Sequence, residues 1–216
     1  MTRSLGRPQS RGEEIANAIS HGCGALASIA AIPILVVHDV ATGTVSASAL
    51  LGVVVFGVAL TLLYTTSTLY HALPHGTAKR VFRRLDHSAI YVLIAGTYTP
   101  FALGIFREAW GWALCALIWA MAGAGILVKS LGRGHHPVMS SVTYLSMGWL
   151  ALLVPGPLLN LLPTPGLVLL VSGGFAYTLG VLFFVLDDRL RYAHFVWHAF
   201  VLLGSACHFA AVLLYA

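Results

Sequence analysis

Apolar residues run along this chain in long stretches, at 15–37, 45–70, 89–105, 110–128, 138–153, 166–186 and 192–215, parted by short segments where charge, glycine and proline collect. A helix crossing the hydrocarbon core of a bilayer needs about 20 largely apolar residues, and these runs meet or approach that length. The pattern predicts an all-α bundle of seven membrane-spanning helices. The fifth run is the weakest, because the "PGP" at 155–157 ends the helix early or kinks it. Without it the count falls to six.

The basic residues choose between these counts. With seven spans one membrane face receives Arg3, Arg7, Arg11, Lys79, Arg80, Arg83, Arg84, Lys129, Arg133, Arg189 and Arg191, and the other only Arg107. Lysine and arginine concentrate on the cytoplasmic side of membrane proteins, so the N-terminus is expected in the cytoplasm and the C-terminus outside. Residues 1–14 then form a short polar cytoplasmic N-terminus, and 1–216 read as a single seven-helix membrane domain.

Composition agrees. With 58% hydrophobic and 9% charged residues and a mean hydropathy of +0.87, the chain has too little polar surface to enclose a water-soluble globule. It reads as a multi-pass protein of the cell membrane. The net charge of +5 needs no nucleic-acid partner, since juxtamembrane basic residues facing anionic lipid headgroups account for it. Cys23, Cys115 and Cys207 all fall in apolar segments with no CxxC pair, which predicts neither a disulfide framework nor a thiolate metal site. The polar, partly acidic stretch before the first run is a poor signal-peptide start.

Charged side chains are missing from the middle of every span, so the pattern does not suggest a carrier with a charged midplane site. Polar residues gather instead at one end of four segments. The second ends in "STLYH", with Ser67 and His71 four apart on one helical face. The third follows "RRLDH", with Asp86 at its mouth. The seventh opens with "HFVWH", placing His194 and His198 on one face, and the first with "EEIANAISH", where Glu14, Asn17 and His21 step along a single stripe. Segments one, three and seven enter from the side on which segment two ends, so these groups share a membrane face whichever way the protein is inserted.

Three imidazoles and a carboxylate on one face suggest zinc. His71, His194 and His198 are the candidate ligands, the i, i+4 pair supplying two from one helical turn, and three protein ligands with one open position form the catalytic arrangement. Asp86 is either a fourth ligand or, as favoured here, the acceptor that deprotonates the metal-bound water. Ser67 is then a supporting donor or a contact to a substrate carbonyl. Glu14, Asn17 and His21 either support the site from behind its ligands or cap and solvate a helix end. The plainer readings are chance HxxxH spacing and a serine bonded to its own helix carbonyl. Convergence of ionisable groups on one face of a membrane protein weighs against them. "GTYTP" at 96–100 reads as a proline kink, with Thr97 or Thr99 satisfying freed carbonyls.

The order ExxNxxxH, SxxxH, Asp86 and a terminal HxxxH over seven spans, with "AGTYTP" at 95–100, resembles the hemolysin III branch of the progestin and adipoQ receptor family. The resemblance implies a seven-helix bundle in a bacterial plasma membrane with zinc near the cytoplasmic face. It also implies His71, His194 and His198 as zinc ligands and Asp86 in contact with a zinc-bound water. Related membrane proteins hydrolyse ceramide amides, which implies lipid hydrolase chemistry. The leading expectation is therefore a zinc-dependent hydrolase of a membrane lipid amide or ester bond. Two others stand beside it: a sensor or homeostasis protein with a structural zinc, and a pore-forming hemolysin, for which the spans lack a polar stripe.

Overall fold

The computed structural model describes residues 7–43, 46–107, 110–131, 137–153 and 155–216. Among them every regular element is helical. Helix α1 (Arg11–Thr42) starts on a capping box, in which the Ser10 hydroxyl accepts from the Glu13 amide while the Glu13 carboxylate accepts from the Ser10 amide. It ends at Gly43, whose φ of 71° closes the last turn in the left-handed region. Arg7 donates to both oxygens of Glu13, and that contact raises the guanidinium above its ordinary pKa. The chain continues through α2 (Ala47–Ala72), α3 (Thr77–Leu103), α4 (Gly111–Ser130), α5 (Pro137–Gly148), a 3-10 turn (Leu150–Leu153), α6 (Pro155–Leu161), α7 (Thr164–Val185) and α8 (Ala193–Tyr215).

Helix α2 packs between α1 and α3, and α8 closes against α1 and α7. Small residues allow the close approach on which membrane helices rely. At Gly52 a Cβ would stand 2.8 Å from the Pro100 Cα, backbone that cannot yield. Phe56, Leu60, Leu63, Leu93, Trp197 and Val201 fill the core of this group, and a smaller cluster of Tyr91, Ala95, Ile118, Ala122 and Met147 joins α3 and α4 to α5. The exterior is apolar: Leu26 is 72% exposed and Leu153 76%. In lipid that surface is already solvated. Helices α1, α2, α4, α7 and α8 are each long and apolar enough to cross a bilayer, as a multi-pass membrane protein requires.

Two elements differ from the sequence expectation. The third segment begins at Thr77, not near 89, because "TAKRVFRRLD" is helical and places Asp86 inside α3 instead of at its mouth. Lys79 in that extension donates to the carbonyls of Tyr70 and Leu73, satisfying the end of α2. The fifth segment breaks at Gly148, well before the prolines, and Pro155 opens α6. Tyr98 accounts for the break: its hydroxyl bridges the carbonyls of Met147 and Gly148 at 3.0 and 2.8 Å and accepts from the Ala151 amide at 3.0 Å. Non-helical backbone inside a membrane protein needs such internal partners.

The threonines near Pro100 behave otherwise than expected. Thr97 and Thr99 donate back to the carbonyls of Leu93 and Ala95, and neither reaches Gly96, four residues before the proline and the position whose carbonyl loses its helical donor.

Candidate metal centre

The shared polar end anticipated from sequence is where α1, α2, α3 and α8 meet. His71 in the last turn of α2 and His194 and His198 on the first turns of α8 bring one ligand nitrogen each to within 4.8 Å of one another. All three are buried. What orients them is a set of acceptors at the other ring nitrogen. His71 Nδ1 donates to Glu14 Oε2 at 2.7 Å, His194 Nδ1 to Asp187 Oδ2 at 2.9 Å, and His198 Nδ1 to the Asn17 carbonyl at 3.3 Å with Ser20 Oγ at 3.2 Å. A carboxylate or carbonyl can only accept, so Nδ1 carries the hydrogen in each ring and Nε2 keeps its lone pair. His71 Nε2 is buried without any partner.

Three imidazoles gathered this closely, each with Nδ1 held by an oxygen, are a donor set that zinc takes, with the outer partners that fix ring and tautomer. The residues present therefore fit a metal ion.

Glu14 is held in turn by Lys79, whose Nζ lies 2.9 Å from Oε1. Glu14 thus stands between His71 and Lys79, and the helix cap belongs to Glu13 next to it. Asn17 donates to Gln9 Oε1 at 2.7 Å and stands 3.5 Å from His71 Nδ1. His21 is a fourth imidazole in the group. It stacks on His198 at 3.4 Å between centroids, meets Ser67 Oγ at 2.7 Å through Nδ1, and leaves Nε2 buried and unpartnered. Ser67 is fully buried and Asp86 only 7% exposed.

Asp86, Ser67, His21, His194 and His198 line one end of a cavity of about 110 Å³, whose walls are otherwise mainly apolar, among them Leu63, Leu93, Val181 and Val201. The structure thus brings Glu14, Asn17, His21, Ser67, His71, Asp86, His194 and His198 to one end of the bundle, from four separate helices.

Three partners were not anticipated. Asp187 sits in the loop before α8, Ser20 beside His21, and Lys79 in a stretch that reads as loop charge. Glu13 has a second role as well, since its Oε1 accepts from the Tyr192 amide at 2.9 Å. Tyr192 has the one positive φ, 58°, found at a non-glycine among the described residues. That contact sets the turn from which α8 and its two histidines start.

Fold and cluster together define a multi-pass α-helical membrane protein with a buried three-histidine site able to hold a metal ion. Comparison with known proteins narrows the class. The family profile described as Haemolysin-III related matches residues 9–209, and the chain belongs to that family. It is 47% identical over 203 residues to Hemolysin-3 of Bacillus cereus, covering 94% of this chain and 91% of the relative. It is 42% identical to the Hemolysin-3 homolog of Bacillus subtilis (strain 168), covering 94% of both. The human Monocyte to macrophage differentiation factor is 32% identical over 167 residues, covering 73% of this chain and 67% of the relative.

Proposed function

We propose that this protein is a zinc-dependent hydrolase of an amide or ester bond in a membrane lipid, crossing the bilayer seven times with its N-terminus in the cytoplasm. The observation that carries the reading is the convergence of one ligand nitrogen each from His71, His194 and His198, with His194, His198, Asp86 and Ser67 on the wall of a mainly apolar cavity. His71, His194 and His198 would hold the ion. Bound there, zinc lowers the pKa of a water toward about 7 and polarises a carbonyl.

The chain's own groups do the rest. The apolar walls take the acyl chain and exclude bulk water, placing the scissile carbonyl beside the cluster. Ser67 lies on the same wall and can orient that carbonyl. Asp86 accepts the proton of the attacking water and returns it to the departing amine or alkoxide as the C–N or C–O bond breaks, so that acid and amine or alcohol leave with atoms balanced.

Turnover by purified, zinc-loaded protein against a broad membrane lipid extract tests this, with products followed by mass spectrometry. The expectation is release of a fatty acid by wild type and its loss in Asp86→Asn with zinc retained. No released acid from a zinc-replete wild type would contradict it. An Asp86→Asn protein that keeps its cellular phenotype would favour the sensor reading, in which the ion only ties α2 to α8.

A further inference from the structure

A second cavity of about 100 Å³ lies beyond the first, lined by Phe101, Phe106, Leu158 and Leu170 among others. The two share Thr97, Tyr98, Gly148, Trp149, Gly174 and His208 on their walls. That waist is where α5 breaks. A β-carbon at Gly174 would stand 3.1 Å from the Trp149 ring and one at Gly173 2.4 Å from His208, so the glycine pair leaves room for both rings. Polar groups at the waist are engaged: Tyr98 with the broken backbone, Trp149 Nε1 with Thr178 Oγ1 at 3.0 Å, Thr97 with Leu93.

His208 is the exception. Its Nε2 donates to the Leu170 carbonyl at 3.1 Å, which leaves Nδ1 as an acceptor, and that nitrogen is buried without a partner. The adjacent Tyr177 hydroxyl is already paired with Ser205 at 2.9 Å. A buried acceptor left unmet costs about 1–3 kcal/mol. A water there would need two to four polar partners, and this apolar waist offers one that is unmet.

We infer that the two cavities form one channel for a single long-chain lipid bearing a hydroxyl partway along its chain, and that His208 Nδ1 accepts the hydrogen bond from that hydroxyl. The inference rests on the histidine cluster as the place where the lipid's polar end sits. His208 follows His198 by ten residues on α8, so the hydroxyl is expected about 15 Å from the cluster. An unsubstituted chain would fill the channel equally well and leave Nδ1 unmet.

The test is the Kd of a mid-chain hydroxystearic acid against that of stearic acid, by calorimetric titration into zinc-loaded full-length protein in detergent. Wild type should prefer the hydroxy acid roughly tenfold, the ratio expected for one buried hydrogen bond. His208→Leu should bring the ratio to about one while stearic acid binds as before and zinc content is unchanged. His208→Asn, which keeps an acceptor, should recover part of the preference. Should His208→Leu fail to fold, the methyl ether of the same hydroxy acid, which cannot donate, must bind wild type no better than stearic acid. Equal affinities for the two acids in wild type, a preference surviving in His208→Leu, or an ether binding like the alcohol would each overturn the inference. A tenfold preference without any lipid turnover would uphold the channel and remove the hydrolase. Turnover with equal affinities would do the reverse.

Discussion

Two kinds of histidine site occupy the two halves of α8, and they are built in opposite ways. His194 and His198 at its start, with His71 opposite, have Nδ1 tied to oxygen acceptors and bring one ligand nitrogen each within 4.8 Å of one another. His208 near its end has Nε2 tied to a carbonyl and Nδ1 left alone against an apolar wall. Convergent lone pairs make a place for a cation. A solitary lone pair makes a place for a donor. The same residue type on the same helix thus serves two chemistries, and the partner of the second nitrogen decides which.

The largest effect that separates the two halves is expected on removing metal. Chelation should loosen the end where α1, α2 and α8 meet, since metal binding at such a site is also folding free energy. Hydrogen exchange should quicken around His71 and His194 and stay unchanged around His208. Uniform quickening along α8 would erase the distinction. Next, Asp86→Asn should lower lipid turnover by about 10²–10⁴-fold, the usual contribution of a positioned acid-base group, with metal content intact by elemental analysis.

Smaller effects should follow at the acceptors behind the ligands. Glu14→Gln and Asp187→Asn each remove the anion that fixes a ring, and metal affinity should fall by about 10–100-fold in competition with a chelating dye. Ser20→Ala should change it least of the cluster variants, within about 1 kcal/mol, because the Asn17 carbonyl remains for His198. His208→Leu should leave metal affinity where it was. A drop there would couple the two sites and break the comparison.

Much of the cluster was legible in the sequence because topology does the selecting. SxxxH, Asp86 and HxxxH carry little weight apart, but counting spans puts them on one membrane face. Their supporting partners were hidden for physical reasons. Asp187 reaches His194 only because the turn before α8 is bent at Tyr192 and pinned by Glu13 from the far end of the chain, a contact with no local signature. Asp86 reads as standing at the mouth of its segment because Lys79, Arg80, Arg83 and Arg84 precede it, yet that stretch is helical from Thr77, with Lys79 capping α2. In the fifth segment the prolines draw the eye, whereas the break lies at Gly148, set by a hydroxyl fifty residues away on α3. His208 looks like one more polar residue in a span until both of its nitrogens can be accounted for.

The central claim is that His71, His194 and His198 hold a metal ion as a unit, and elemental analysis of purified protein tests it most directly. Wild type is expected to carry about one zinc per chain, with each single alanine variant losing it and Asp86→Asn keeping it. Metal-free wild type, or alanine variants that retain the ion in full, would contradict the account.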